Sequence, residues 1–483
     1  MGQSVHRWSV YQDESEVGLM LDTILSAIAE YDELEYMIVE ESITRLESFF
    51  VKKQLEMDRR VDVTHTLLTV YKVFDEDGKK FRGSSVTEIH PGMTHNEIIS
   101  SIDEALFAAG FVKNEYYPLV TNDDAYTQLE ENANSKRDIT SETDLISELT
   151  SLISALYAED NHENGYLSYS EFFVAKKDVR ILNSKGIDRT YAVYTTDVET
   201  AVNWMQGTEI EISGQYVMAG FNAKLLQKRV SNLFEVAAKK PLAQMTPAVK
   251  DMNILLTGEC LSEFFGYYVI NANAVNVYNG VSTFKVGDVL QRVADDSVSD
   301  DSSVEETGDT PANDSSGADC IIMGDKLSIT LDPFLAGATG SKPYDNDGFP
   351  LDRVELIKDG VLSRYWGNVR YSSYLDMPPT GLISSFVVAG GTKSVAKMKE
   401  QPYLELISFS GFQMDAVTGN FASEIRLGFY FDGSETVAVT GGSISGNIKN
   451  VHNDMYFSVE RDQFNNYDGP QTICIRNVTI SGS

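Results

Sequence analysis

Two acids stand four residues apart in the segment Leu255-Leu256-Thr257-Gly258-Glu259-Cys260-Leu261-Ser262-Glu263-Phe264-Phe265. If that segment is helical, Glu259 and Glu263 share a face, and their carboxylates repel unless water, a basic partner or a cation takes up the charge. A solvated or partnered helix face and a functional carboxylate pair both fit this spacing. The histidines offer less. His90-Pro-Gly-Met-Thr-His95 encloses a proline loop and no carboxylate, and a capped helix start explains it better than a metal site. His162-Glu163 has no second histidine within a helical turn and lies among the turn residues Asn161, Asn164 and Gly165. Gly441-Gly442-Ser443-Ile444-Ser445-Gly446 misses the spacing of a nucleophile elbow by one residue, and neither phosphate-cradling glycine motif occurs. Asp345-Asn346-Asp347-Gly348 opens like a calcium loop, but Val354 stands where the closing glutamate is needed.

The elements that must position these residues read as α+β. Val17, Leu21, Ile24, Leu25 and Ile28 have helical spacing, and residues 34–82 read mainly as strands, with Asp77-Gly78 as a hairpin turn. Thr94-His95-Asn96-Glu97 is a capping box opening a helix that Gly110 stops. Ser141, Glu142 and Asp144 suggest the cap of a second helix, carrying Leu145, Leu149, Leu152 and Leu156. Strands over 166–182 and 189–196 flank the turn Asn183-Ser184-Lys185-Gly186, and a helix follows over 223–238. A helix from Leu255 to about Tyr268 then yields to short strands, with Asp-Gly turns at Asp359-Gly360 and Asp432-Gly433. At about 150 residues per domain, 483 residues suggest three units. The expected bounds are an α+β subdomain over 1–120, a second over 121–243, and a β-rich C-terminal domain over 244–483.

Charge narrows the partners. A net charge of −33 repels phosphate backbones and anionic lipid alike, so neither nucleic acid nor membrane is an expected partner. No apolar run approaches the roughly 18 residues of a membrane span, and the first thirteen residues show no secretory signal. Cys260, Cys320 and Cys474 are odd in number and far apart, which fits a reducing cytoplasm. Residues 295–319 hold nine acids and no Lys or Arg, and are expected to form a disordered acidic insertion, as a solvated loop or a docking tail for a basic partner.

Several blocks, in this order, resemble the TldD/PmbA family, also called modulators of DNA gyrase. They are Tyr169-Ser170-Glu171, Leu182-Asn183-Ser184-Lys185-Gly186, Gly340-Ser341-Lys342-Pro343-Tyr344-Asp345-Asn346-Asp347-Gly348, Leu356-Ile357-Lys358-Asp359-Gly360-Val361-Leu362, and Thr418-Gly419-Asn420-Phe421 running to Gly428-Phe429. TldD-type members are zinc peptidases with an H-E-x-x-x-H motif, a glutamate general base and a later cysteine ligand. By this resemblance the motif falls on Gly258 to Glu263, where both histidines are gone, and Cys474 lies outside the expected C-G-K context. Glu259 and Glu263 are then degenerate motif positions. That departure is the pattern of the PmbA (TldE) branch, which lacks the metal set and works beside a TldD-type metallopeptidase subunit. The resemblance implies no metal in this chain and zinc in the partner, a hetero- or homodimer, and short or unfolded peptides bound as an added strand. A stand-alone hydrolase with an altered site at Glu259 and Glu263, and a non-catalytic peptide-binding or scaffold module, are the alternatives.

Overall fold

The computed structural model describes residues 14–122, 144–250, 252–291 and 324–482. The insertion expected at 295–319, Cys320, and the capping residues Ser141 and Glu142 lie outside them. The chain groups into two compact units: Met1–Pro241 with Leu331–Val354 and Trp366–Phe386, and Leu242–Thr330 with Glu355–Tyr365 and Val387–Ser483.

In the first unit the elements run α1 (Glu14–Ile28), β1 (Glu35–Val51), β2 (Gln54–Glu76), β3 (Lys79–Ile89), α2 (His95–Ala109), β4 (Asn114–Glu115), α3 (Leu145–Ala158), β5 (Gly165–Asn183), β6 (Asp188–Gln206), β7 (Thr208–Ala219) and α4 (Ala223–Lys239). One antiparallel seven-stranded sheet, in the order β4-β3-β2-β1-β5-β6-β7, takes strands from both expected N-terminal subdomains. Its centre is the pairing of Ile38 with Leu68 on one side and Leu182 on the other. Because side chains alternate along a strand, Ile38 and Leu46 share one face. Ile38 packs with Leu21 and Ile24 of α1 and Ile98 and Ile102 of α2; Leu46 packs with Leu152 of α3 and Val230 of α4. On the other face Val39, Val179 and Ile181 pack with Tyr191 and Tyr344.

Local signals explain most of these boundaries. Asp77 and Gly78, at φ 49° and 76°, close the β2–β3 hairpin. Both bonds of the capping box at Thr94 and Glu97 are present, though Gly110 ends α2 in right-handed conformation, with φ −64°. Helix α3 is capped by Asp144, whose carboxylate accepts from the Ile146 amide at 3.1 Å. Strand β7 was not expected from the sequence.

The second unit holds two sheets of six and ten strands. The elements that matter for the site are β8 (Asn253–Thr257), α5 (Cys260–Asn271), β9 (Tyr403–Phe409), β10 (Gln413–Met414), β11 (Asn420–Phe431), β12 (Thr436–Thr440), β13 (Ser443–Asn447), β14 (Thr472–Ile475) and β15 (Thr479–Ser481). One expectation needs correcting: Leu255-Leu256-Thr257 is strand, not the first turn of a helix. Strand β8 lies between β9, parallel to it, and β14, antiparallel, with Leu255 and Leu256 fully buried. A strand covered on both faces and a buried helix carry the same continuous apolar run, so hydrophobic pattern cannot separate them. Gly258, at φ 95°, is where the chain leaves the strand and turns into α5.

Candidate functional site

The shift of the helix start changes what the acid pair can do. Glu259 is the residue before α5, in right-handed conformation and without a side-chain cap bond, and Glu263 lies in the first turn. Both side chains are exposed. Carboxylates at a helix N-terminus face the positive end of its dipole, which favours both charges. Between them Cys260 is buried, and burial pushes its thiol well above the ordinary range. A thiol held that way is a poor nucleophile and a poor metal ligand. The next buried side chains, Leu261, Phe264 and Phe265, anchor the helix. Gly258 brings no donor and lies outside the helix. Among the described residues no three His, Cys, Asp or Glu side chains stand where they could hold one metal ion. The residues at the motif positions therefore do not fit zinc. Cys474 sits in β14, buried, its thiol also pushed up by burial.

Sequence reasoning missed a polar group beside this segment. Glu405 of β9, in register with Leu255, is 5% exposed. Its carboxylate meets Lys399 Nζ at 2.7 Å and accepts from Thr257 Oγ1 at 3.3 Å. Thr257 Oγ1 lies 2.9 Å from Thr472 Oγ1. A buried carboxylate needs such a partner and such hydrogen bonds to be tolerated. The signal was legible as a single acid in the apolar run Tyr403-Leu404-Glu405-Leu406-Ile407.

A cavity of about 790 Å³ lies in the second unit over a small sheet formed by β10, β11, β13 and β15. Gln413, Asn420, Asn447, Asn450 and Asn477 line it, with Phe421 and Met414 as apolar floor. Asn447 is itself a brace: its amide donates to Thr418 O at 2.9 Å and Asn420 Oδ1 at 2.8 Å. The one charged lining residue, Asp415, has its carboxyl held below the ordinary range by the Thr418 and Val417 amides, which donate to it at 3.1 and 2.8 Å. Apart from Asp415, a wall of amides offers donors and acceptors together, which suits a peptide backbone. Among the described residues, β10 pairs with β11 and with no other strand.

The arrangement defines a mixed α+β fold that solved structures share. It aligns with the crystal structure of TldE from Thermococcus kodakarensis at a TM-score of 0.70 and 14% identity, covering 96% of this chain and all of that one. A candidate modulator of a DNA gyrase from Thermotoga maritima aligns at 0.69, also 14% identical, covering 97% of this chain and all of that one. In sequence, residues 306–482 match the PmbA/TldA metallopeptidase C-terminal domain. The chain is 30% identical to the metalloprotease PmbA of Escherichia coli O157:H7 over 137 residues, 27% of this chain and 30% of that protein. It is 27% identical to the PmbA homologue of Buchnera aphidicola over 169 residues, 34% of this chain and 37% of that protein. These matches thus span about a third of the length of the curated relatives. The C-terminal part of the chain is thus similar in sequence to the TldD/PmbA metallopeptidases, and the chain shares the fold of the solved TldE structure.

Proposed function

We propose that this chain is a metal-free, TldE-like subunit of a cytoplasmic TldD/TldE-type metallopeptidase complex, binding short or unfolded peptides while a separate TldD-type chain supplies the zinc and the general base. The reading rests above all on Gly258. A glycine at φ 95°, one residue ahead of the helix cap, cannot present a ligand toward the ion that position 263 would share. The amide-lined cavity supports the binding half, because a peptide laid along the edge of β10 gains backbone hydrogen bonds and needs little side-chain chemistry.

The test mixes the purified chain with a TldD-type chain carrying intact H-E-x-x-x-H. The expected outcome is co-elution on size exclusion and peptide hydrolysis that requires the TldD-type chain. Hydrolysis by this chain alone, lost in Glu259→Gln, would replace the reading with an altered-site hydrolase. Failure to co-elute would leave a binding or scaffold module.

A further inference from the structure

We propose that the first unit contains a binding site for a small free α-amino acid, separate from the peptide cavity and independent of the reading above. The site is a cavity of about 170 Å³ lined by Tyr71 of β2, Tyr117, Asp347, Asn368 and Arg370, with Met37 among its apolar walls.

Polar groups without partners indicate an occupant. Tyr71 and Tyr117 are each only 9% exposed, and neither hydroxyl has a hydrogen-bond partner among the described residues. Asp347 is half-buried: its backbone amide donates to Asp345 Oδ1 at 2.9 Å, its carboxylate accepts no hydrogen bond from the described residues, and the charge of Lys342 acts on it. Buried polar side chains in native proteins are satisfied by protein, water or ligand, so the cavity is built for polar contents. On the cationic side, Arg370 is fixed by Asn114 Oδ1, 2.6 Å from Nη2, and by Tyr374 OH, 3.3 Å from Nε, and its guanidinium lies 5.4 Å from the Tyr117 ring centre. Those bonds leave Nη1 as a fixed donor, in the geometry that suits a carboxylate.

Tyr117 feels the guanidinium of Arg370, that of the buried Arg82 behind its ring, 5.3 Å from the ring centre, and the carboxylate of Asp347. A cavity with one acid, one base and two hydroxyls is complementary to a zwitterion, its ammonium toward Asp347 and its carboxylate toward Arg370. Size sets the rest. A cavity of roughly 150 Å³ accepts one benzene ring, so this one has room for glycine, alanine or serine but not for an indole side chain.

Isothermal titration of the full chain with L-alanine, L-tryptophan, acetate and methylamine tests the proposal. Saturable binding of L-alanine is expected, with acetate and methylamine weaker by at least about tenfold, the effect of losing one charge-assisted hydrogen bond, and L-tryptophan weaker to at least the same degree because its indole does not fit. Asp347→Asn should weaken L-alanine binding to the same degree. Tyr71→Phe, which keeps the ring and its packing, should weaken it severalfold with an unchanged melting curve. No saturable L-alanine binding to the wild-type chain, acetate or tryptophan binding as well as alanine, or unchanged affinity in both variants would each overturn it.

Discussion

Two pairs of acids occupy motif-like positions in this chain, and the fold treats them oppositely. Glu259 and Glu263 stand exposed at the start of α5. Asp345 and Asp347 are folded into a loop of the first unit, where burial first, and then the charge of Asp347, push the Asp345 carboxyl upward. Asp345 is a staple: Oδ1 accepts from the Asp347 and Phe349 amides at 2.9 and 3.0 Å, and Oδ2 from the Leu382 amide at 3.2 Å. The pair at the degenerate motif positions is exposed at a helix start, while Asp345, of the pair resembling a broken calcium loop, is spent on the backbone. Motif position alone did not indicate where the fold invests in a carboxylate.

The sharpest way to break that contrast is Asp345→Ala. It strands three backbone amides at about 1–3 kcal/mol each, so denaturant unfolding should register a loss of about 4 kcal/mol. A loss below about 1 kcal/mol would show that the loop does not depend on the carboxylate. The same group has a signed pH effect. A carboxyl raised in the folded state favours folding when protonated, so its contribution is complete below the ordinary carboxylate value and is lost as pH rises through the raised one. Asp345→Asn should flatten that part of the melting temperature profile.

His452 acts on the opposite flank. Burial, with the charge of Lys449 adding to it, pushes its imidazole from the ordinary 6.5 down to about 4. The neutral ring is the one the fold accepts, so stability is full above about 6.5 and lost as pH falls through about 4, by roughly 2–3 kcal/mol in all. His452→Gln should remove most of that acid slope in thermal melts between those pH values.

A smaller effect is expected at Gly258. Gly258→Ala forces a side chain into a left-handed backbone and should lower stability by about 1–2 kcal/mol. Gly258→His with Glu263→His should show the same strain and still bind no zinc at one equivalent by mass spectrometry. The smallest effect belongs to the exposed pair: Glu259→Gln with Glu263→Gln should stay within about 0.5 kcal/mol of wild type in the same unfolding assay.

Local chemistry made much of the fold legible. Asp-Gly turns at Asp77 and Asp359, the Thr94 capping box and the helix over Ala223–Lys239 follow from short-range rules. Long-range pairing was not legible: Ile38 meets Leu182 only because β1 and β5 run side by side, and nothing near either residue specifies the other. The apolar run at Leu255 hid a strand inside an expected helix, which moved Glu259 off the helix proper. The two cavities were hidden for a different reason. Asn420, Asn447 and Asn477, like Tyr71 and Arg370, are ordinary turn, strand and helix residues until the chain brings them together.

Metal content tests the central claim most directly. The chain, purified without chelator and analysed by mass spectrometry beside its peptidase activity, should carry far less than one zinc per molecule and hydrolyse no peptide unaided. One bound zinc per chain, together with solo peptidase activity, would contradict the assignment of a metal-free subunit.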